Sequence, residues 1–273
     1  MIKLDDTILS QVILARKSNT HKSDYGKVLC IGGNKPYTGA IMIAASACLH
    51  SGTGLTYVAT DKDGIGSINA FTPEIIAFDI TNKELLDDLL NKVDVVLIGC
   101  GLTTSQSSKD LLEYIINNFN KTIIIDGDAI TLFALYQMKV QDPSKLIFTP
   151  HQKELERLTG IVISSQSNEN IQAYTSQTNY TIIAKSNQTK IFSKDKPIYY
   201  LDIGKPSQAT GGMGDSLAGM IASFVGQFKT YESILAATYL HSKIAHDLDK
   251  DNYMVLPTSI IKEIPKYMKK AIK

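Results

Sequence analysis

Two hydrophobic periods alternate along this chain. Short, nearly continuous apolar runs rich in β-branched residues give way to loops, and the loops to segments whose apolar positions recur at helical spacing. The runs KVLCIGG (27–33), LTYVAT (55–60), VDVVLIGCG (93–101), KTIIIDGDA (121–129), KLIFTPH (145–151) and YTIIAK (180–185) predict strands, most of them buried on both faces. Shorter strands are expected at KIFS and PIYYLD, and helices over AIMIAASACLHSG (40–52), stopped by Gly52, and SSKDLLEYIINNF (107–119). Strand, loop, helix and strand in succession predict a mainly parallel sheet with helices on both faces, a three-layer α/β/α fold. The late strands are so closely spaced that the sheet is expected to end in an antiparallel hairpin edge. No internal repeat or low-complexity linker divides the chain, so one domain is expected over 1–273.

Ligands of such sheets bind beyond the carboxyl ends of the strands. Five unusual loops follow strand candidates: GGNKPYTGA, GCGLTT, DGDA, TPHQKE and KSNQT. A sixth stretch, ATGGMGDSLAG (209–219), places Gly211, Gly212 and Gly214 around Asp215. The apolar residues after it, Leu217, Met220, Ile221, Phe224 and Val225, have helical spacing, so the glycines enter a helix amino end. The first amides of a helix have no partner inside it, and glycine lets a ligand come close. Gly211, Gly212 and Gly214 therefore predict an anion hole for a phosphate, with Asp215 at its floor as the group that takes a proton from an attacking hydroxyl. The alternative is that Asp215 only caps the helix. A helix amino end is also expected to lower the pKa of an aspartate and weaken it as a base. Neither G-x-x-x-x-G-K-[ST] nor G-x-G-x-x-G occurs, which removes the P-loop and Rossmann readings.

Charge and composition narrow the partners. The formal net charge is +1, which offers no field for nucleic acid or an acidic membrane surface, so an anionic ligand must be held locally. The three cysteines, Cys30, Cys48 and Cys100, show no metal-type spacing and fit a reducing, cytoplasmic setting; Cys30 and Cys48 are expected in the core. The amino-terminal stretch lacks the apolar run of a secretory signal, and no apolar stretch is long enough to span a bilayer.

Taken together, GGNKPYTGA, IGCGL, IIDGDAI, FTPHQKELERLTG and ATGGMGDSLAGMIASF, in this order and spacing, resemble the ADP/ATP-dependent NAD(P)H-hydrate dehydratases of the ribokinase-like superfamily; the resemblance runs from about residue 20 to 250. It implies a repair reaction. The ring hydroxyl of hydrated NADH or NADPH, as the (S)-hydrate, is phosphorylated by ADP or ATP, and phosphate then leaves to restore the reduced nicotinamide. It also implies that Asp215 is the catalytic base and touches the hydrated ring. Ala40, with Gly39 and Thr38 in the same loop, and Gly101 would line the hydrate pocket, and His151 would contact the dinucleotide. Lys185, Ser186, Asn187, Gln188 and Thr189 would surround the adenosine monophosphate part of the donor, and Gly214 would bind its phosphates. Mg2+ is expected to arrive with ADP or ATP rather than in a protein cage, and a homotetramer is implied. Each residue has a plainer reading too: a helix entry for Gly39–Ala40, a helix start for His151, a hairpin connection for Lys185–Thr189, and turn chemistry for Asp126 and Asp128, which are not assigned as ligands. His241 and His246 are expected to be structural. The chain departs from the family pattern at Met213, where serine is usual, at Cys100, where proline is usual, and at Ser186, where glycine is common. The epimerase domain often fused to this family is not expected within these 273 residues. Two alternatives remain: another ribokinase-like kinase acting on a hydroxyethylthiazole- or pyridoxal-type alcohol, and a nucleotide-binding sensor without turnover.

Overall fold

The computed structural model describes residues 1–272; residue 273, the last of the expected domain, lies outside the described residues. Ten strands form one sheet: β1 (Ile2–Lys3), β2 (Lys27–Ile31), β3 (Leu55–Thr60), β4 (Ile76–Asp79), β5 (Val95–Ile98), β6 (Thr122–Ile125), β7 (Leu146–Phe148), β8 (Thr181–Ala184), β9 (Lys190–Phe192) and β10 (Tyr199–Tyr200). Their order is β1-β10-β9-β8-β7-β6-β5-β2-β3-β4. Pairing is antiparallel only between β8 and β9 and between β9 and β10. The expected hairpin is present, but it is not the edge. Ile2–Lys3 adds to β10 in parallel and closes the sheet there. So short a strand gives no periodic signal in sequence.

The central strands are apolar at successive positions because each face feeds a separate core. Val28 and Cys30 of β2, and Val95 and Leu97 of β5, point to one side, beneath the helices Thr38–His50, Met213–Phe228 and Tyr231–Leu248. Leu29, Ile31, Val96 and Ile98 point to the other, beneath Lys83–Lys92, Gln106–Asn118 and Gly127–Leu135. This is the three-layer α/β/α architecture. Cys30 and Cys48 are buried in the first core, as expected.

The helix Thr38–His50 starts earlier than its apolar pattern suggests, at Thr38 rather than residue 40, so Thr38, Gly39 and Ala40 form its first turn. Its partner Met213–Phe228 lies against it at backbone distance. A side chain on Gly219 would put Cβ 2.0 Å from the carbonyl oxygen of Ala44. At the amino end of the same pair, Gly212 sits against Ile43, where an added Cβ would come within 2.5 Å of Cδ1.

Gly219→Ala must push the two helices apart and should cost roughly 1–3 kcal/mol in urea denaturation. Gly66→Ala, on a helix where the added Cβ meets nothing within 4 Å, is the control and should be neutral or mildly stabilising.

Candidate active site

The helix Met213–Phe228 begins at Gly212, whose φ of 88° lies in the left-handed region that favours glycine. The first intrahelical bond runs from Ser216 N to Gly212 O, so the amides of Met213, Gly214 and Asp215 precede it and remain available. No side chain caps this end, and Asp215 in particular does not, which removes the capping alternative. The turn is anchored from behind: Ser216 Oγ donates to Met213 O at 2.9 Å and accepts from His241 Nε2 at 2.8 Å. His241 is buried and structural, and burial, then the charge of Lys185, hold its pKa down to about 4, so it is a neutral imidazole. Of the three predicted glycines, Gly212 is required by its backbone angle, Gly211 has open space around it, and Gly214 lies close against the Lys185 side chain. A Cβ there would stand 3.0 Å from Lys185 Nζ.

Lys185 does not simply extend the hairpin. Its ammonium reaches under the glycine turn to Asp126 Oδ1 at 2.8 Å, and Thr149 Oγ1 donates to the same oxygen at 2.6 Å. Burial raises the pKa of Asp126, but the charge and hydrogen bond of Lys185, with Thr149 and Cys100, more than offset it, so the carboxylate stays ionised. Burial lowers that of Lys185, and Asp126 and Glu154 more than offset this in turn. Asp126, set aside in sequence as turn chemistry, thus joins the site. Asp128 accepts the amide of Thr103 at 2.7 Å and pins the loop after β5.

Sulfur of Cys100 and one oxygen each of Asp126 and Asp215 lie within 4.8 Å of one another. This spacing would suit a metal, but Lys185 already supplies the cation against Asp126, and no metal is assigned to the trio. Asp215 feels burial first and the Asp126 carboxylate next, and its pKa rises to about 7. That reverses the lowering expected from a helix amino end: desolvation and a like charge outweigh the dipole.

The other predicted residues fall into two groups, one around Gly101 and one around Lys185. Gly101, with φ 62°, backs onto the first turn of Thr38–His50, where an added Cβ would meet Tyr37 O at 2.6 Å and Ala40 Cβ at 3.1 Å. Ala40 and Gly101 are therefore neighbours, and the loops are laced by Gly33 N to Cys100 O and Asn34 N to Gly101 O at 2.9 and 2.8 Å. Beyond them opens a cavity of about 500 Å³, lined by Asn34, Lys35, Lys62, Thr81, Thr103 and Ser105. In the second group, His151 pairs with Lys185 through a backbone bridge. Its plainer reading holds as well: His151 Nδ1 accepts from the amides of Lys153 and Glu154 and starts the helix Gln152–Thr159. Among the loop residues, Ser186, Asn187 and Gln188 are exposed, whereas Thr189 is buried and donates back to Ser186 O. Beside this turn lies a cavity of about 130 Å³, lined in part by Lys185, Ser186, Gln188 and Gln152.

A family profile described as NAD(P)H-hydrate dehydratase matches residues 28–266. The chain belongs to that family. An ADP-dependent (S)-NAD(P)H-hydrate dehydratase of Streptococcus thermophilus is 44% identical over 98% of this chain and 99% of its own length. A protein of the same name from Lactococcus lactis is 42% identical over 99% of both. The crystal structure of a ribokinase-like superfamily protein from Enterococcus faecalis superposes with a TM-score of 0.97 at 41% identity, covering 99% of this chain and 96% of that one. The dehydratase family thus takes the ribokinase-like fold seen here, with the glycine turn and Asp215 at the carboxyl ends of the strands.

Protonation of Asp215 is easier in the folded chain than in the unfolded one, where the ordinary value is 3.8. Its contribution to stability is present below that value and lost as pH rises through about 7. Asp215→Asn should therefore raise stability most at about pH 8, on the order of a few kcal/mol at most and seen as a higher Tm, and the gain should vanish towards about pH 4. Thermal unfolding at the two pH values checks this.

Proposed function

We propose that this chain repairs the (S)-hydrates of NADH and NADPH, using ADP as phosphoryl donor, through the groups gathered at Asp215. The observation that carries the reading is one ionisable carboxylate, with a pKa near the working pH, set in the same turn as three free amides. A group that must accept a proton at neutral pH works best with a pKa close to that pH.

In this mechanism the phosphate in flight lies against the amides of Met213, Gly214 and Asp215, whose fixed dipoles offset its charge without reorganisation. Asp215 accepts the proton of the ring hydroxyl as oxygen bonds to phosphorus and the bond to the departing AMP breaks. The phosphate ester then leaves as inorganic phosphate, a proton is lost from the adjoining ring carbon, and the ring double bond returns. The sum is hydrate plus ADP giving the reduced dinucleotide, AMP and phosphate. Water removed from the hydrate is consumed in cleaving ADP, so atoms balance. Ala40 and Gly101 form the wall on the hydrate side, where the absence of bulk lets the ring approach. The exposed residues Ser186, Asn187 and Gln188 stand on the donor side, His151 contacts the dinucleotide, and Lys185 meets the phosphates from below.

The oxygens of Asp126 are occupied by Lys185, Thr149 and the Cys100 thiol, so Mg2+ fits this site only as a partner of the nucleotide's own oxygens and water. When bound, it neutralises phosphate charge. The reading includes a homotetrameric cytoplasmic enzyme without nucleic-acid or membrane partners. Among the described residues, no helix is long and apolar enough to cross a membrane.

Purified protein given (S)-NADH hydrate, ADP and Mg2+ should restore the reduced-nicotinamide absorbance and release AMP. A stable phosphorylated product from a thiazole or pyridoxal alcohol, with no return of absorbance, would sink the reading. Asp215→Asn should reduce kcat by roughly 10²–10⁴-fold while ADP still binds. The wild-type kcat/KM should fall about tenfold per unit on the acid side of pH 7, because the protonated carboxyl cannot act as the base.

A further inference from the structure

Cys100 occupies the narrowest part of the cluster, and the proposed mechanism gives it no task. Its thiol is almost fully buried, and its backbone is held between Gly99 and Gly101, both at positive φ, with its carbonyl accepting from Gly33 N. The side chain therefore has little choice of direction. Asp126 Oδ1 is taken twice, by Lys185 and by Thr149, which leaves Oδ2 to the sulfur at 3.7 Å. On its other side the same sulfur lies within 4.8 Å of an Asp215 oxygen. The one S–H is thus directed at Asp126, and towards Asp215 the sulfur stands as a close neighbour rather than as a donor.

We propose that Cys100 is a positioning residue for the reaction, its thiol set against both Asp126 and Asp215 so that its S–H holds Asp126 and its bulk keeps that carboxylate from facing the base directly. This rests on the reading of Asp215 as the base. The thiol stays protonated, because burial and then the two carboxylates push it well above the ordinary thiol range, so it acts as a donor and not as a nucleophile. The groups that face Asp215 come from four elements. Cys100 follows β5, Asp126 follows β6, Asp128 lies on Gly127–Leu135, and Lys185 follows β8. Behind the turn His241 is neutral and engaged by Ser216, and Glu154 acts on Asp126 and Lys185. Of these, the thiol and Lys185 favour the ionised form of Asp215, whereas Asp126 and Asp128 oppose it.

The test is the pH profile of hydrate turnover in Cys100→Ala and Cys100→Ser, each checked for an unchanged circular dichroism spectrum and ADP affinity. Losing the donor should move the acid limb of kcat/KM upward by about half a pH unit or more in the alanine variant. Serine keeps a donor of similar size, so its limb should stay at or below the wild-type position, with KM for ADP within about twofold in both variants. Two folded variants with the wild-type profile, or with the same shift, would overturn the proposal. If the alanine variant fails to fold, serine alone decides, and a limb displaced upward in it counts against the thiol. Asp215→Asn separates the two levels of inference. If that variant is inactive while the cysteine variants are silent, only the role of Cys100 falls; if it remains active, the base assignment itself falls.

Discussion

The contact between the Lys185 ammonium and Asp126 holds this site together. It joins the ends of β6 and β8 across β7, whose own end contributes Thr149 to the same carboxylate. Such a pair is costly to bury and far costlier to break, because either partner alone would be a stranded charge in the core. Its value here is that Asp126 stays negative. A negative neighbour and a dry setting together bring Asp215 into the neutral range. One ion pair therefore fixes three loops in space and, through its acidic member, helps to raise the proton affinity of the carboxyl in the glycine turn.

Much of this was legible in the chain. Continuous apolar runs ending in glycine marked the central strands and their carboxyl ends, because a strand buried on both faces needs apolar residues at every position. The glycine turn and Asp215 were readable because free amides, a positive φ and a carboxylate are encoded locally. What stayed hidden depends on distance in three dimensions. Asp126 looked like a turn residue, since nothing near it in sequence shows a lysine 59 positions away. The expected depression of Asp215 was reversed by the same neighbour. Thr189 reads as one more polar loop residue, yet its hydroxyl is spent inside its own turn. His151 is both the start of a helix and a neighbour of Lys185, and only the bridge between β7 and β8 makes the second fact visible. β1 and β4 escaped for a simpler reason: two- and four-residue edge strands carry too little pattern.

The backbone contact between Gly219 and Ala44 has a consequence for how such an enzyme can change over time. The two helices that carry Ala40 and the glycine turn meet at backbone distance where Gly219 lies against Ala44. Parting them to suit a bulkier alcohol would cost stability, so this contact largely sets the separation of the two helices. A change of acceptor is therefore cheaper in the loops at the tips than in the paired helices.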